Sequence, residues 1–101
     1  MTKSDIHATI CKNLNIIYEK KNKDYNDSFG KMYHELGIIT AVTRIGDKFN
    51  RLKSLSTKSE AERMVKDETI KDTFMDLANY CIMSLIEEEW GELENEEKNY
   101  I

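Results

Sequence analysis

The sequence lacks proline altogether, and its 101 residues include only four glycines and two cysteines. Proline ends or kinks helices and glycine weakens them, so their scarcity favours long helices. Cys11 and Cys81 each lie in an apolar helical pattern, where a small buried side chain would suit, and they predict neither a disulfide nor a metal pair. We therefore expect an all-α fold, a small helical bundle.

Long hydrophobic runs and an excess of positive charge are also missing. No apolar stretch approaches the roughly 20 residues of a membrane-spanning helix, and the N-terminus lacks the hydrophobic segment of a signal peptide. The formal net charge is −4, which argues against long DNA or RNA as the main ligand. We expect a cytoplasmic protein with no membrane partner; a small phosphorylated ligand would need only a local basic pocket.

The composition, 40% hydrophobic and 34% charged, suits one folded domain over residues 1–101. Ser4 is placed to cap a first helix that ends near Lys21, where a polar, turn-prone stretch over residues 21–28 begins. Apolar residues recur along this helix every three or four positions, which predicts one buried face: Ile6, Ile10, Leu14 and Ile17.

A short second helix and a third helix are predicted to follow. Ser28 is placed to cap the second, over residues 29–36, and Gly37 to end it in the left-handed conformation that helix C-caps favour. The third helix has apolar residues at helical spacing, which predict its buried stripe: Ile39, Val42, Ile45, Phe49 and Leu52.

The pattern weakens over residues 54–66, where Ser59 and Glu62 fit a capping box, and we expect this to be the most mobile region. Asp67 is placed to cap a long last helix from Glu68 to about Glu92, with a charged tail from about residue 93. Two adjacent apolar rows on that helix predict either a central helix or a subunit interface, and we expect a homo-oligomer: Ile70, Phe74, Leu77, Cys81 and Leu85, and Met75, Ala78, Ile82 and Ile86.

Three polar sets lie beside the apolar stripes: Lys21, Asp24 and Tyr25; Arg44, Asp47, Lys48 and Arg51; and Glu68, Asp72, Asp76 and Asn79. Arg44 and Lys48 are one helical turn apart, with Arg51 one turn further, so their cationic side chains could hold a phosphate. One interpretation is that these cations form structural ion pairs with Asp72 and Asp76. The other is a polar nucleotide pocket, with cations for phosphate and Asp or Asn for base and sugar.

Three segments carry a resemblance to a known family: KNKDY at residues 21–25, RIGDKFNRL at residues 44–52 and DTFMDLANY at residues 72–80. In order and spacing they resemble the nucleotide modification associated domain family of phages and bacteria, over about residues 15–86. That family is distantly similar to the all-α MazG-like and dimeric dUTPase-type nucleotide pyrophosphatases, which bind nucleotides between helices and usually act as oligomers.

The pyrophosphatases hold magnesium with a Glu-Glu-x-x-Glu motif followed by Glu-x-x-Asp, because a hard cation prefers several carboxylate oxygens. This chain departs from that pattern, since Asp47, Lys48 and Arg51 occupy the position of the first motif. The segment EEWGE at residues 88–92 matches the first motif, but no second motif follows it. We interpret it as a solvated helix end.

The sequence therefore predicts a phage-type nucleotide-binding protein that sequesters a nucleotide or a nucleotide-derived immune signal without hydrolysing it, and that needs no cofactor. If phage-encoded, it would act in the host cytoplasm. An alternative is a Mg²⁺-dependent nucleoside triphosphate pyrophosphatase with Glu68, Asp72 and Asp76 as metal ligands. A further alternative is a helical adaptor whose last helix binds a partner protein.

Overall fold

The computed structural model describes residues 1–59 and 69–99, which form four helices: α1 (Lys3–Tyr25), α2 (Ser28–Leu36), α3 (Ile39–Ser56) and α4 (Ile70–Asn99). No strand occurs among these residues, so the predicted all-α bundle is confirmed. The longest helix is α4, about 45 Å at about 1.5 Å per residue. It packs against each of the other three helices, and α2 also packs against α3.

The α1 helix begins two residues earlier and ends four residues later than the sequence indicated. Thr2, not Ser4, is the N-cap: its hydroxyl accepts from the Asp5 amide at 3.1 Å, and the Asp5 carboxylate accepts from the Thr2 amide at 2.8 Å. This reciprocal pair is a capping box. The helix continues past Lys21 to Tyr25, so most of the predicted polar turn is helical.

The turn between α1 and α2 is only two residues long. Asn26 and Asp27 have φ values of 52° and 54°, in the left-handed region. Asn and Asp are the non-glycine residues that adopt this region most readily, because their side chains bond locally to the backbone. Ser28 is the first residue of α2 rather than its cap, and Asp27 occupies the cap position without a side-chain hydrogen bond.

Gly37 ends α2, as predicted, but not in the left-handed helical conformation. Its φ of 74° and ψ of −154° lie in a region that is essentially restricted to glycine. The Gly37 amide donates to the Tyr33 carbonyl at 2.8 Å, and the chain turns directly into α3.

The predicted buried stripe of α3 is wrong in its main members. Ile39, Val42 and Phe49 are 54%, 56% and 53% exposed, whereas Thr40 and Ala41 are buried. The buried Thr40 hydroxyl donates to the Met32 carbonyl, so the start of α3 packs against α2. The helix therefore buries Thr40, Ala41 and Leu55, whereas three of the five residues of the predicted stripe are more than half exposed.

The start of α4 is marked by a second reciprocal pair. The Asp72 amide donates to the Thr69 hydroxyl at 3.0 Å, and the Thr69 amide donates to the Asp72 carboxylate at 3.3 Å. The predicted Asp67 cap, the Glu68 start and the Ser59–Glu62 capping box involve residues 60–68, which lie outside the described residues. At the other end, α4 continues past the predicted end at Glu92 to Asn99.

The hydrophobic core is small for a chain of this length. Its buried apolar members among residues 1–59 and 69–99 are Leu14, Phe29, Ala41 and Leu55. Both predicted apolar rows of α4 are partly exposed; Phe74 and Leu85, for example, are 55% and 64% exposed. Within the described ranges, no helix is long and apolar enough to cross a membrane.

Two glycine substitutions should change stability in opposite directions. No atom lies within 4 Å of a Cβ built on Gly37 or on Gly46, so neither alanine would clash. Gly37→Ala should cost about 1–3 kcal/mol, because its positive φ strains any side chain. Gly46→Ala, within α3, should gain about 0.5–1 kcal/mol by removing backbone entropy from the unfolded chain.

Thermal and urea denaturation of both variants would measure this difference. An equal loss of stability in the two would contradict the conformational role assigned to Gly37.

Candidate functional site

A cleft of about 650 Å³ lies between the helices, and every helix gives one face to it. In each case the lining residues are spaced by three or four positions, as one face of a helix requires. From α1 and α2 these are Tyr18, Lys21, Asn22 and Tyr25, and Ser28, Phe29, Met32 and Leu36. From α3 and α4 they are Ile39, Thr40, Thr43, Arg44 and Lys48, and Asp76, Asn79, Tyr80 and Met83.

Asp76 lies between two lysines in the wall of this cleft. The Lys21 ammonium is 3.2 Å from its Oδ1, and the Lys48 ammonium is 3.1 Å from its Oδ2. The Lys48 and Asp76 side chains are only 23% and 22% exposed, while Lys21 is 57% exposed. One carboxylate therefore holds two ammonium groups side by side, each on a different oxygen.

Arg44 adds a third cation to the same wall. Its side chain is exposed, and within the described part of the chain it makes no ion pair. The lining residues thus carry three positive charges and one negative charge, a net charge of +2, although the whole chain carries −4. Such a local excess of positive charge attracts anions.

Aromatic rings form much of the remaining wall. Phe29 is buried between two tyrosines, with ring centroids 5.8 Å from Tyr80 and 6.0 Å from Tyr33, both tilted at 44°. Tyr25, on α1, is 67% exposed and faces the cleft beside Tyr18. Aromatic faces of this kind can stack a planar ring.

Two side-chain hydrogen bonds hold the helices that form the walls. The buried Asn79 amide donates to the Leu14 carbonyl at 3.1 Å and so ties α1 to α4. The Thr40 hydroxyl donates to the Met32 carbonyl at 3.2 Å and ties α2 to α3. Asn79, which the sequence placed among ligand-binding residues, therefore has one amide hydrogen committed to the fold.

The structure brings six of the ten predicted ligand-binding residues to the cleft: Lys21, Tyr25, Arg44, Lys48, Asp76 and Asn79. Four of the ten, all within the described ranges, are not part of its lining: Asp24, Asp47, Arg51 and Asp72. Asp24 and Asp47 are exposed, and Asp72 caps α4. Arg51 lies one turn beyond Lys48 along α3.

Sequence reasoning missed most of the uncharged lining residues. Their spacing contained a signal, because Tyr18 and Asn22 share a helical face with Lys21 and Tyr25. Tyr80 likewise lies one helical turn after Asp76, and Met83 lies one turn after Tyr80, so all three share a face of α4. The contribution of α2 had no such signal, since its charged residues, Lys31 and Glu35, lie outside the cleft lining.

A family model described as nucleotide modification associated domain 1 matches residues 21–87 of the 101-residue chain. The protein belongs to this family. The matched span of the nucleotide modification associated domain contains every lining residue of the cleft except Tyr18. No curated protein and no solved structure matches the chain.

Two of the three candidate magnesium ligands, Asp72 and Asp76, make other contacts in this nucleotide modification associated domain. Both oxygens of Asp76 face ammonium groups, and the Asp72 carboxylate accepts from the Thr69 amide. Among residues 1–59 and 69–99, no group of three or more His, Cys, Asp or Glu side chains could hold a metal. Glu68, the third candidate ligand, lies outside the described residues.

Outside the cleft, carboxylates crowd around Gly30. A Cβ at the buried Gly30 would lie 2.6 Å from an Asp27 carboxylate oxygen and 2.8 Å from Glu87 Oε1, so any larger residue there would require these two carboxylates to move. Burial, followed by the negative charges of Asp27 and Glu94, raises the pKa of Glu87. Next to it, the hydroxyl of Tyr33 donates to Glu88, and this hydrogen bond raises the pKa of Tyr33 to about 12.

Replacing Glu87 by glutamine should stabilise the protein at neutral pH. Because the pKa of Glu87 is raised in the folded state above the ordinary value of 4.5, its ionised form carries a folding penalty. That penalty is present above the folded-state pKa and disappears as the pH falls below about 4.5. Glu87→Gln should therefore raise Tm at pH 7, with a smaller gain at pH 4.

Glu35→Gln, at an exposed position of α2 outside the cleft lining, is the matched control and should change Tm little at either pH. Thermal melts across this pH range measure both variants. A gain for Glu87→Gln that did not shrink at low pH would contradict the electrostatic explanation.

Proposed function

We propose that this protein binds a nucleotide or a nucleotide-derived signal molecule in the cleft and holds it without hydrolysing it. The observation that carries the proposal is the net charge of +2 in a cleft with aromatic walls, on a chain whose net charge is −4. A nucleotide has the matching chemistry, since it combines phosphate anions with a planar base. Membership of the nucleotide modification associated domain family supports a nucleotide as the ligand.

The phosphate would bind between Lys21 and Lys48. The Asp76 carboxylate already lies between their ammonium groups, at 3.2 Å from Lys21 and 3.1 Å from Lys48. A phosphate offers its own oxygens to the same ammonium groups and, as a dianion, interacts with them more strongly than a carboxylate does. In this proposal Asp76 is a resident counter-ion, which keeps the lysines in position and competes with the ligand.

Arg44 would supply a planar guanidinium to the phosphate, which it can bind through two parallel hydrogen bonds. The base would stack against the exposed ring of Tyr25 or against Tyr18 and Tyr80. The remainder of the cleft, around Met32 and Met83, is apolar and would shield the base from water.

A binder of this kind could act by sequestration. A phage that makes such a protein in the host cytoplasm would lower the free concentration of a nucleotide immune signal, an effect that requires affinity but no catalysis. The pairing of Asp76 with two lysines supports binding over magnesium-dependent cleavage, because the carboxylate oxygens that a metal would need already face cations.

We also propose that the protein acts as a homo-oligomer. Large apolar side chains are more than half exposed on both α3 and α4, including Val42, Phe49, Phe74 and Leu85. A second copy of the chain could cover such apolar side chains and remove them from water.

Two substitutions in the cleft should change ligand affinity in opposite directions. Lys48→Ala removes a charge-assisted hydrogen bond worth about 1.5–3 kcal/mol, so Kd should rise about tenfold to a hundredfold. Asp76→Asn removes the competing anion, so Kd should fall severalfold. Isothermal titration with adenine nucleotides and cyclic dinucleotides measures both changes.

Lys31→Ala is the matched control, because Lys31 is an exposed lysine of α2 outside the cleft lining. It should leave Kd unchanged, and thermal melts should show that all three variants fold. Absence of heat with every ligand would contradict the proposal, and so would nucleotide turnover with release of pyrophosphate. Equal weakening by Lys48→Ala and Asp76→Asn would show that Asp76 serves the ligand rather than competing with it.

Sedimentation velocity tests the homo-oligomer. The protein at micromolar concentration should sediment as a species larger than one chain. A monomer at all concentrations would contradict this part of the proposal and leave nucleotide binding to be judged by the titrations.

A further inference from the structure

The first half of α1 extends away from the rest of the protein. Residues 3–13, here called the N-terminal arm, are all exposed, and Leu14 is the first buried residue of the helix. Ile6 and Ile10 lie on the same face as Leu14, at intervals of four residues, and are 47% and 43% exposed. A helical segment this short is marginal in water, so an apolar surface that covers this face would stabilise it.

A complementary surface runs along α4. Apolar residues follow one another at helical spacing on its exposed side, and we call them the α4 ridge: Phe74, Ala78, Ile82, Leu85, Ile86 and Leu93. From Phe74 to Leu93 the ridge is about 28 Å long. It is therefore longer than the arm, which at the same rise spans about 16 Å.

We propose that the N-terminal arm of one copy packs on the α4 ridge of a second copy, and that the second copy returns the same contact. This inference rests on the proposed homo-oligomer and names the surfaces that form it. A two-fold arrangement makes the arm–ridge contact twice, which brings the buried area closer to the roughly 1,200–2,000 Å² of a stable interface.

Charge indicates the direction in which the arm lies on the ridge. Glu89, Glu92 and Glu96 are exposed at the C-terminal end of the ridge, on the same side of α4 as Leu85 and Leu93. The arm carries Lys3 on its apolar face, one turn before Ile6. An antiparallel arrangement brings Lys3 to the glutamates and Ile10 to Ile82, so that both charge and apolar surface match.

The same glutamates disfavour contact between two ridges. If two ridges lay parallel, their acidic ends would repel each other; if antiparallel, each acidic end would cover the apolar surface near Phe74. Contact between two arms would bury only the exposed faces of Ile6 and Ile10 from each copy and would leave the ridge open. Arm-on-ridge packing is the arrangement that covers both surfaces.

The two natural cysteines report on this arrangement. Cys11 is in the arm and Cys81 is at the edge of the ridge, and both are exposed free thiols. A short bis-maleimide should join the Cys11 of one copy to the Cys81 of another and yield a covalent dimer on denaturing gels. Cys11→Ser and Cys81→Ser should each abolish that dimer, since the link requires both residues, and peptide mass spectrometry should identify it.

The other results are distinguishable. A dimer that survives in Cys11→Ser would show ridge against ridge, one that survives in Cys81→Ser would show arm against arm, and either result would overturn the proposal. No covalent dimer from the natural protein would overturn it as well. If sedimentation still shows an oligomer in these cases, the homo-oligomer stands and only the arm-on-ridge arrangement fails.

A matched pair of substitutions provides a second readout. Ile10→Glu places a charge on the apolar face of the arm and should shift the sedimentation coefficient to that of one chain. Ile16 is 44% exposed, compared with 43% for Ile10, but it lies on a different face of α1. Ile16→Glu should therefore leave the oligomer intact. Equal effects of the two would overturn the proposal, and circular dichroism checks that both variants remain helical.

Discussion

The hydrogen bond from the buried Asn79 amide to the Leu14 carbonyl fixes how α1 crosses α4. Leaving a buried polar group without its partner costs about 1–3 kcal/mol, so the two helices are held in one register. Because α1 and α4 run in opposite directions at this crossing, Lys21 then comes to Asp76. The place of Lys21 in the cationic wall of the cleft therefore depends on this buried polar contact between α1 and α4.

This arrangement allows an acidic protein to present a basic cleft. Acidic residues are concentrated on the C-terminal half of α4, around Glu87 and Glu89, whereas Lys21, Arg44 and Lys48 converge from α1 and α3. A single carboxylate between two lysines limits their repulsion before a ligand arrives. The same carboxylate leaves a surplus of positive charge, and that surplus is the basis of the proposed anion binding.

The small hydrophobic core leaves large apolar side chains available for contact with a second copy of the chain. Four buried apolar side chains among the described residues bury little surface for a chain of 101 residues, while Phe49, Phe74 and Leu85 remain more than half exposed. In the proposed homo-oligomer, folding and association would share the same apolar residues. This explains why a helical pattern that predicts a buried face, such as that of α3, failed for the isolated chain: periodicity identifies an apolar face but not what covers it.

The sequence by itself determined the helical class, the end of α2 at Gly37 and the residue types that could bind a phosphate, because these depend on local propensity and on chemistry within a few positions. Tertiary structure alone decided which of those residues meet. Helical spacing could not distinguish Asp76, which lies between two lysines, from Asp72, one turn earlier, which caps the helix. Which of the two aspartates meets Lys21 depends on where α1 crosses α4. The hydrogen bond between Asn79 and Leu14, which are 65 positions apart, holds that crossing.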